Sequence, residues 1–256
     1  MGKKVRTWKE FWDVLATSRD PIAATDKPSV SPSTYQLYST EIMQKLALNP
    51  EDNVLDIGCG PGIIDVSLAP HVRCICAVDY SHIMARRARA NTATCGSVHV
   101  MNCDATALPF KNAVFSKLVM YSVAQYLSPD QIDQALGEIK RVTQPGGMIM
   151  LGEIFRVRDV SLLNRIRDVW VHQGLWGIVR KTLNRSFKFW LRVTGRFTHR
   201  FVRPKKDLPI VLHPEEALLT MVHQHNMRGR VLPQSEKLPW FHQTFDLLIE
   251  NAPALK

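Results

Sequence analysis

Between residues 53 and 155, short apolar runs alternate with stretches whose apolar positions recur every three or four residues. Val54, Leu55 and Ile57 make the first run. "RCICAVDYS" makes the second, ending at Asp79, and "VHVMNCDATALPF" the third, closed by Asp104 and a turn at Pro109. "FSKLVMYSVAQYL" gives a fourth, and "LGEIKRVTQPGGMIMLGEI" gives a helix, a Pro-Gly-Gly break and a fifth. Runs this short and this rich in Val and Ile read as buried strands. The helical period shows after the first run, where Ile63, Ile64, Val66, Leu68 and Ala69 carry it. Strands alternating with helices predict a doubly wound α/β sheet with a ligand crevice at the carboxyl ends of its strands.

The first strand-to-helix turn is glycine-rich: "VLDIGCGPG", with Gly58, Gly60 and Gly62 around Pro61. Such a loop brings backbone close to a ligand, although tight turns use glycine with no ligand at all. The nicotinamide fingerprint G-x-G-x-x-G would need its third glycine at position 63, which is Ile63. Asp79 lies seventeen residues past Gly62, and an acid at the end of a second strand can accept from both hydroxyls of a ribose.

With these blocks in this order, the chain resembles the class I S-adenosylmethionine-dependent methyltransferases, in the broad branch that includes the quinone-biosynthesis C-methyltransferases. "VLDIGCGPG" is similar to the family's first motif, "AVDYS" to its ribose-binding segment, "CDATALPF" to its adenine-contacting segment, and "EIKRVTQPGGMIML" to the helix and turn before strand five. These cover about residues 45 to 153; "HPEEALLTMVHQHNMRGRVLPQ" and "QTFDLLIEN" resemble the last helix and strands six and seven. The resemblance implies a Rossmann-like seven-stranded sheet with its last strand antiparallel, and S-adenosyl-L-methionine as cofactor. It implies that Gly58, Cys59 and Gly60 approach the cofactor by backbone, that Asp56 lies near its amino-acid end, and that Asp79, followed by Tyr80, takes the ribose. Asp104 would receive the adenine amino group, Ala105 would offer its N–H to the ring, and Tyr121 and Ser122 would border the methionine part. Two departures stand out. Ser116 replaces an acid common after the Phe that opens strand four, and Asn226 and Met227 replace a Gly-Phe after the last helix. Ser116 is expected to serve strand entry, and Asn tolerates the left-handed cap.

Composition places few limits on this picture. The 256 residues are 45% hydrophobic, with no run of eighteen apolar residues and no signal-peptide pattern at the start. Arg6 occupies the Ser or Thr position of a myristoylation site. Five cysteines at 59, 74, 76, 95 and 103 have no zinc spacing, so no metal site is expected and reduced, buried thiols in a cytoplasmic protein are.

Charge adds more. From Arg156 to Lys206 fourteen Lys and Arg face two Asp, against nineteen and twenty-one in the rest of the chain, so this stretch carries +12 against −2 elsewhere and accounts for the net charge of +10. The stretch 155–212 falls where the core fold needs only a short connection, which predicts a helical insertion. Trp176, Val179, Leu183, Phe187 and Trp190 fall on one helical face, and Lys181, Arg185, Lys188, Arg192 and Arg196 on the other. Three readings follow: a helix packed on its own domain, a cover for the substrate, or a peripheral contact of 176–196 with an anionic membrane. Nucleic acid is a weaker reading, because "YSVAQY" lacks the Asn/Asp-Pro-Pro-aromatic turn of exocyclic-amine methyltransferases. Ahead of the core (41–154 and 213–256), residues 1–40 carry Trp8, Phe11, Trp12 and Leu15 on one helical face, with Tyr35 and Tyr38 as lid residues.

Methyl transfer is an in-line displacement, so the protein mainly aligns its reactants in a dry pocket. If the acceptor must lose a proton, Glu153 at the end of strand five is expected to face the crevice, and His213 flanks the last helix. The expected activity is methyl transfer to carbon or oxygen of a small, apolar or lipid-like acceptor. The alternatives are an anionic soluble metabolite or RNA, or a cofactor-binding scaffold without turnover.

Overall fold

The computed structural model describes residues 7–18, 20–25, 30–156, 208, 210–238 and 243–252. Residues 157–207 of the expected insertion, with the whole run from Trp176 to Arg196, lie outside the described residues.

Helix α1 (Trp8–Leu15) is capped by Thr7, and α2 (Pro32–Leu46) by Ser31 with Pro32 at its first position. Strand β1 (Asn53–Ile57) leads through the glycine loop into α3 (Ile63–Leu68). Then follow β2 (Cys74–Asp79), α4 (His82–Asn91), β3 (Val98–Asn102) and β4 (Phe115–Tyr121). Helix α5 (Pro129–Val142) starts on a capping box between Ser128 and Gln131 and feeds β5 (Thr143–Phe155). Helix α6 (Glu215–Gln224), β6 (Arg228–Leu232) and β7 (Thr244–Glu250) complete the order.

The seven strands form one sheet in the order β3-β2-β1-β4-β5-β7-β6. β7 pairs antiparallel with both β5 and β6, and the remaining pairs are parallel, as the family resemblance implies. The two-residue period of the strands divides the core between the sheet's faces. Leu55, Ile57, Leu118 and Met120 pack under α5 and α6, whereas Val54, Ile75, Ala77 and Val119 pack with α2, α3 and α4. Asp56 shares the face of Val54, so its carboxyl is carried into that second layer.

Both departures keep the fold. Ser116 donates to Asp52 (2.7 Å) and accepts from the Asn53 N–H (3.1 Å), tying the entries of β1 and β4 together. Asn226 adopts the left-handed conformation (φ 53°) that ends α6, and Met227 turns into the core. All five cysteines are free thiols. No helix among the described residues is long and apolar enough to cross a membrane.

Candidate active site

Gly58, Gly60 and Gly62 all have positive φ (77°, 56° and 79°), the conformation that lets the chain leave β1 and enter α3 within five residues. At Gly58 a Cβ would stand 2.3 Å from Val123, so the loop also lies directly against the end of β4. Its amides are spent inside the protein. The N–H groups of Gly58 and Cys59 both donate to the Val78 carbonyl (2.7 and 3.0 Å), and that of Gly60 donates to Asp79 Oδ2 (3.0 Å). What these three residues offer a ligand is therefore carbonyl oxygen and bare Cα surface. A pyrophosphate needs donors there, whereas the ammonium and sulfonium of S-adenosylmethionine are cations that favour acceptors.

Asp79 is fixed by two backbone donors, Gly60 through Oδ2 and Ser81 through Oδ1 (2.8 Å). Burial pushes its carboxyl from 3.8 up to about 6, the two N–H bonds oppose the shift, and Asp13 adds to it. Tyr80 is exposed at the rim. Past β3, Asp104 uses Oδ1 to hold the N–H and hydroxyl of Thr106 (2.9 and 2.8 Å). Among the described residues neither Asp104 Oδ2 nor the Ala105 N–H has a partner, which leaves an acceptor beside a donor for an adenine edge.

A cavity of about 500 Å³ runs along these strand ends. Asp104, Asp79, Gly58 and Tyr121 follow β3, β2, β1 and β4 in sheet order, so they span three inter-strand steps, about 14 Å in all. The resemblance implies adenine, ribose, amino-acid end and methionine border at these four places in turn. Helix α1 walls the far side. Trp8 and Trp12 line the cavity, each edge-on to Tyr126 (4.7 and 5.3 Å), with Tyr35 and Tyr38 beside them. The helix is held to α4: Ser81 donates to Asp13 (2.5 Å) while capping α4 through Met84, and Arg87 donates to the Ala16 and Ser18 carbonyls.

Cys59, Tyr121 and Ser122 line the cavity with the residues above; Asp56, Glu153 and His213 do not. Asp56 is buried behind the loop against Asp65 of α3. Burial first, and the charge of Asp65 next, drive the Asp56 carboxyl well up, and burial raises Asp65 to about 7. Burial among these acids likewise raises the Cys59 thiol, so it stays a neutral filler. Glu153, expected in the crevice, is fully buried with positive φ (54°), because the β5–β7 register shifts between Leu151 and Ile154 and turns it away. The ring Nε2 of His213 lies against the Ala124 and Leu127 carbonyls (3.0 and 3.2 Å), which makes it a donor that fixes the 124–127 turn.

Behind Tyr121 lies a polar group that the sequence reading did not single out. Gln234 donates to the Tyr121 hydroxyl (3.3 Å) and to Asp246 Oδ1 (2.9 Å), and accepts from Thr244 (2.6 Å). Asp246 also takes the Glu153 N–H (2.8 Å) and pairs with Lys45 (2.6 Å), which Glu41 holds as well (2.6 Å). The one legible signal was Asp246 itself, an acid in the apolar run "TFDLLIE". Gln234, in the loop after β6, and Asp65, on a short helix, have none. Among the described residues no cluster suited to a metal ion occurs.

Residues 54–147 match a methyltransferase-domain family. The carboxy-S-adenosyl-L-methionine synthase of Pseudomonas putida is 28% identical over 203 residues, covering 75% of this chain and 72% of that protein. Among solved structures, the phosphoethanolamine N-methyltransferase 1 of Haemonchus contortus, in complex with phosphoethanolamine and S-adenosylhomocysteine, superposes with a TM-score of 0.67 at 14% identity. That match covers 96% of this chain, which spans about half of that protein (48%). The [4+2]-cyclase SpnF superposes with a TM-score of 0.56 at 15% identity, covering 84% of this chain and 80% of that one. At these identities the structures speak for the fold alone. The matched domain, its glycine loop and the acids at the ends of β2 and β3 lead to one conclusion: residues 54–147 form a methyltransferase domain in a Rossmann-like sheet, and the protein is a methyltransferase with S-adenosyl-L-methionine as cofactor.

Proposed function

We propose that this enzyme methylates a small apolar acceptor, taken up at an anionic lipid surface. The observation that carries the reading is the composition of the cavity beyond the cofactor loop. Trp8, Trp12, Tyr35, Tyr38, Tyr126 and Leu127 line it, and the cation among them, Lys9, is paired with Asp13 (2.9 Å). Such a wall favours a flat or hydrocarbon-rich molecule and offers little to a polyanion such as RNA. When bound, the cofactor supplies an electrophilic methyl group. Asp79, Asp104 and the loop carbonyls orient it, and the aromatic wall excludes water from the line of attack.

The lipid surface is inferred from the charge and tryptophans of residues 176–196. Flotation with anionic and neutral vesicles tests it: binding should favour the anionic vesicles, weaken with salt, and drop when Trp176, Phe187 and Trp190 become Ala. Incubation with methyl-labelled cofactor and a fractionated lysate tests the acceptor. Label in the lipid-soluble fraction supports the reading, and label confined to RNA or to anionic metabolites overturns it. No label anywhere supports the scaffold alternative.

A second reading comes from the Pseudomonas relative's name and its 203 aligned residues: the protein makes or uses a carboxylated cofactor. Mass analysis of nucleoside retained by the purified protein distinguishes it, since a carboxylated cofactor is heavier by one carboxyl group.

A further inference from the structure

The carboxyl ends of β4 and β5 hold two non-glycine residues in the left-handed region, Ser122 (φ 60°) and Glu153 (φ 54°). Such strain collects where a site needs it. The two flank a register pair, Tyr121 and Gly152. A Cβ on Gly152 would stand 2.3 Å from the Tyr121 ring, so this position must be bare for the ring to lie where it does. The register shift in β5 turns the Glu153 N–H onto Asp246, the same carboxylate that holds Gln234. Strain, bulge and missing Cβ thus all serve the placement of one side chain that faces the cavity.

The Tyr121 hydroxyl accepts from Gln234 and, among the described residues, donates to nothing. Gln234 cannot turn to relieve it, because Asp246 and Thr244 occupy both ends of its amide and Lys45 anchors Asp246. The phenolic hydrogen is therefore left for a ligand.

We propose that Tyr121 is a catalytic residue that donates this hydrogen to an oxygen of the acceptor, that Gln234 is its positioning residue, and that the acceptor is a stabilised enolate methylated on carbon. This rests on the apolar-acceptor reading and narrows it. A donor placed on an attacking oxygen or amine ties up the electron pair that must attack. On an enolate oxygen it holds the charge there and leaves the carbon pair free. Glu153 and His213 lie outside the cavity, and the acceptor of this proposal is one already ionised in solution. The enolate carbon bonds to the methyl carbon, the carbon–sulfur pair returns to sulfur as a neutral thioether, and the enolate becomes a ketone. Tyr121 keeps its hydrogen throughout.

The test uses the protein loaded with S-adenosylhomocysteine and two probes. Benzoyltrifluoroacetone is an aromatic β-diketone ionised near neutral pH, and butylbenzene has similar apolar bulk without the oxygens. The wild type should bind both, with the enolate absorption band shifted on binding. Tyr121→Phe should weaken the diketone about ten- to a hundred-fold, the range for hydrogen bonds to charged groups, with butylbenzene and S-adenosylhomocysteine affinities unchanged. Gln234→Leu should weaken the diketone and, at saturation, return the band toward its solution position, which loss of packing alone would not do. With methyl-labelled S-adenosylmethionine the label should appear on the carbon between the carbonyls. Equal diketone affinity in Tyr121→Phe, label on oxygen, or no transfer overturns the proposal while leaving the apolar reading intact if butylbenzene binds. If the wild type binds neither probe, both fall.

Discussion

Asp79→Asn should make the ligand-free protein more stable while spoiling its cofactor site. Burial raises this carboxyl from 3.8 to about 6. Between those values the folded protein holds a proton that the unfolded chain has lost, so stability falls as pH rises through the window and is flat above it. A shift of about two units corresponds to about 3 kcal/mol. The neutral amide escapes that cost, but it has one acceptor oxygen where Asp79 serves the N–H groups of both Gly60 and Ser81. Losing one partner returns about 1–2 kcal/mol. The net gain above pH 6 is about 1–2 kcal/mol, or about 3–6 °C in Tm for a chain of this size. Thermal melts of wild type and variant, followed by circular dichroism at about pH 8 and about pH 4 with and without S-adenosylmethionine, check this. The ligand-free variant should melt higher at the upper pH and no higher at the lower one, and cofactor should raise the wild-type Tm far more than the variant's. A ligand-free variant that melts below wild type at the upper pH refutes the reasoning, because burial would then not be the dominant cost at this carboxyl.

Gly58→Ala meets both Val123 and a positive φ, and should cost about 1–3 kcal/mol in a denaturant titration; adding Val123→Ala should recover the crowding but not the backbone part. Lys45→Met leaves Asp246, fully buried, without its cation, and should destabilise by about 3–5 kcal/mol in the same assay. Ser81→Ala removes the cap of α4 and the bond to Asp13; about 1–2 kcal/mol should be lost, with α1 cleaved earlier in limited proteolysis and the rest of the chain unchanged.

What could be read in the sequence is what depends on local order. The glycine loop, Asp79 and Asp104 stand at strand ends that the apolar runs already mark, and the structure gathers them along one cavity. Asn226 was legible as a left-handed cap because that need is set by its own backbone. Glu153 was not, since strand parity carries it toward the crevice only if β5 runs without a bulge, and the irregularity arises from pairing with β7, some ninety residues away. His213 is occupied by two carbonyls from the 124–127 turn, and Asp65 matters because α3 brings it to Asp56; both facts belong to tertiary contacts that no periodicity encodes. Gln234 escaped notice for the same reason.

The way the cavity is assembled bears on how such an enzyme can diversify. One half of the wall, the half suited to the cofactor, comes from the ends of β1, β2 and β3, within residues 57–105, while the opposite half draws on α1, α2 and the turn after β4, with Tyr121 braced from the far end of the chain by Gln234 and Asp246. Exchange of the chain's two outer segments would therefore alter the part of the wall that α1 and α2 supply and the brace behind Tyr121, while the ends of β1, β2 and β3 stay as they are, so that acceptor preference among relatives should track the two flanks together with the turn after β4.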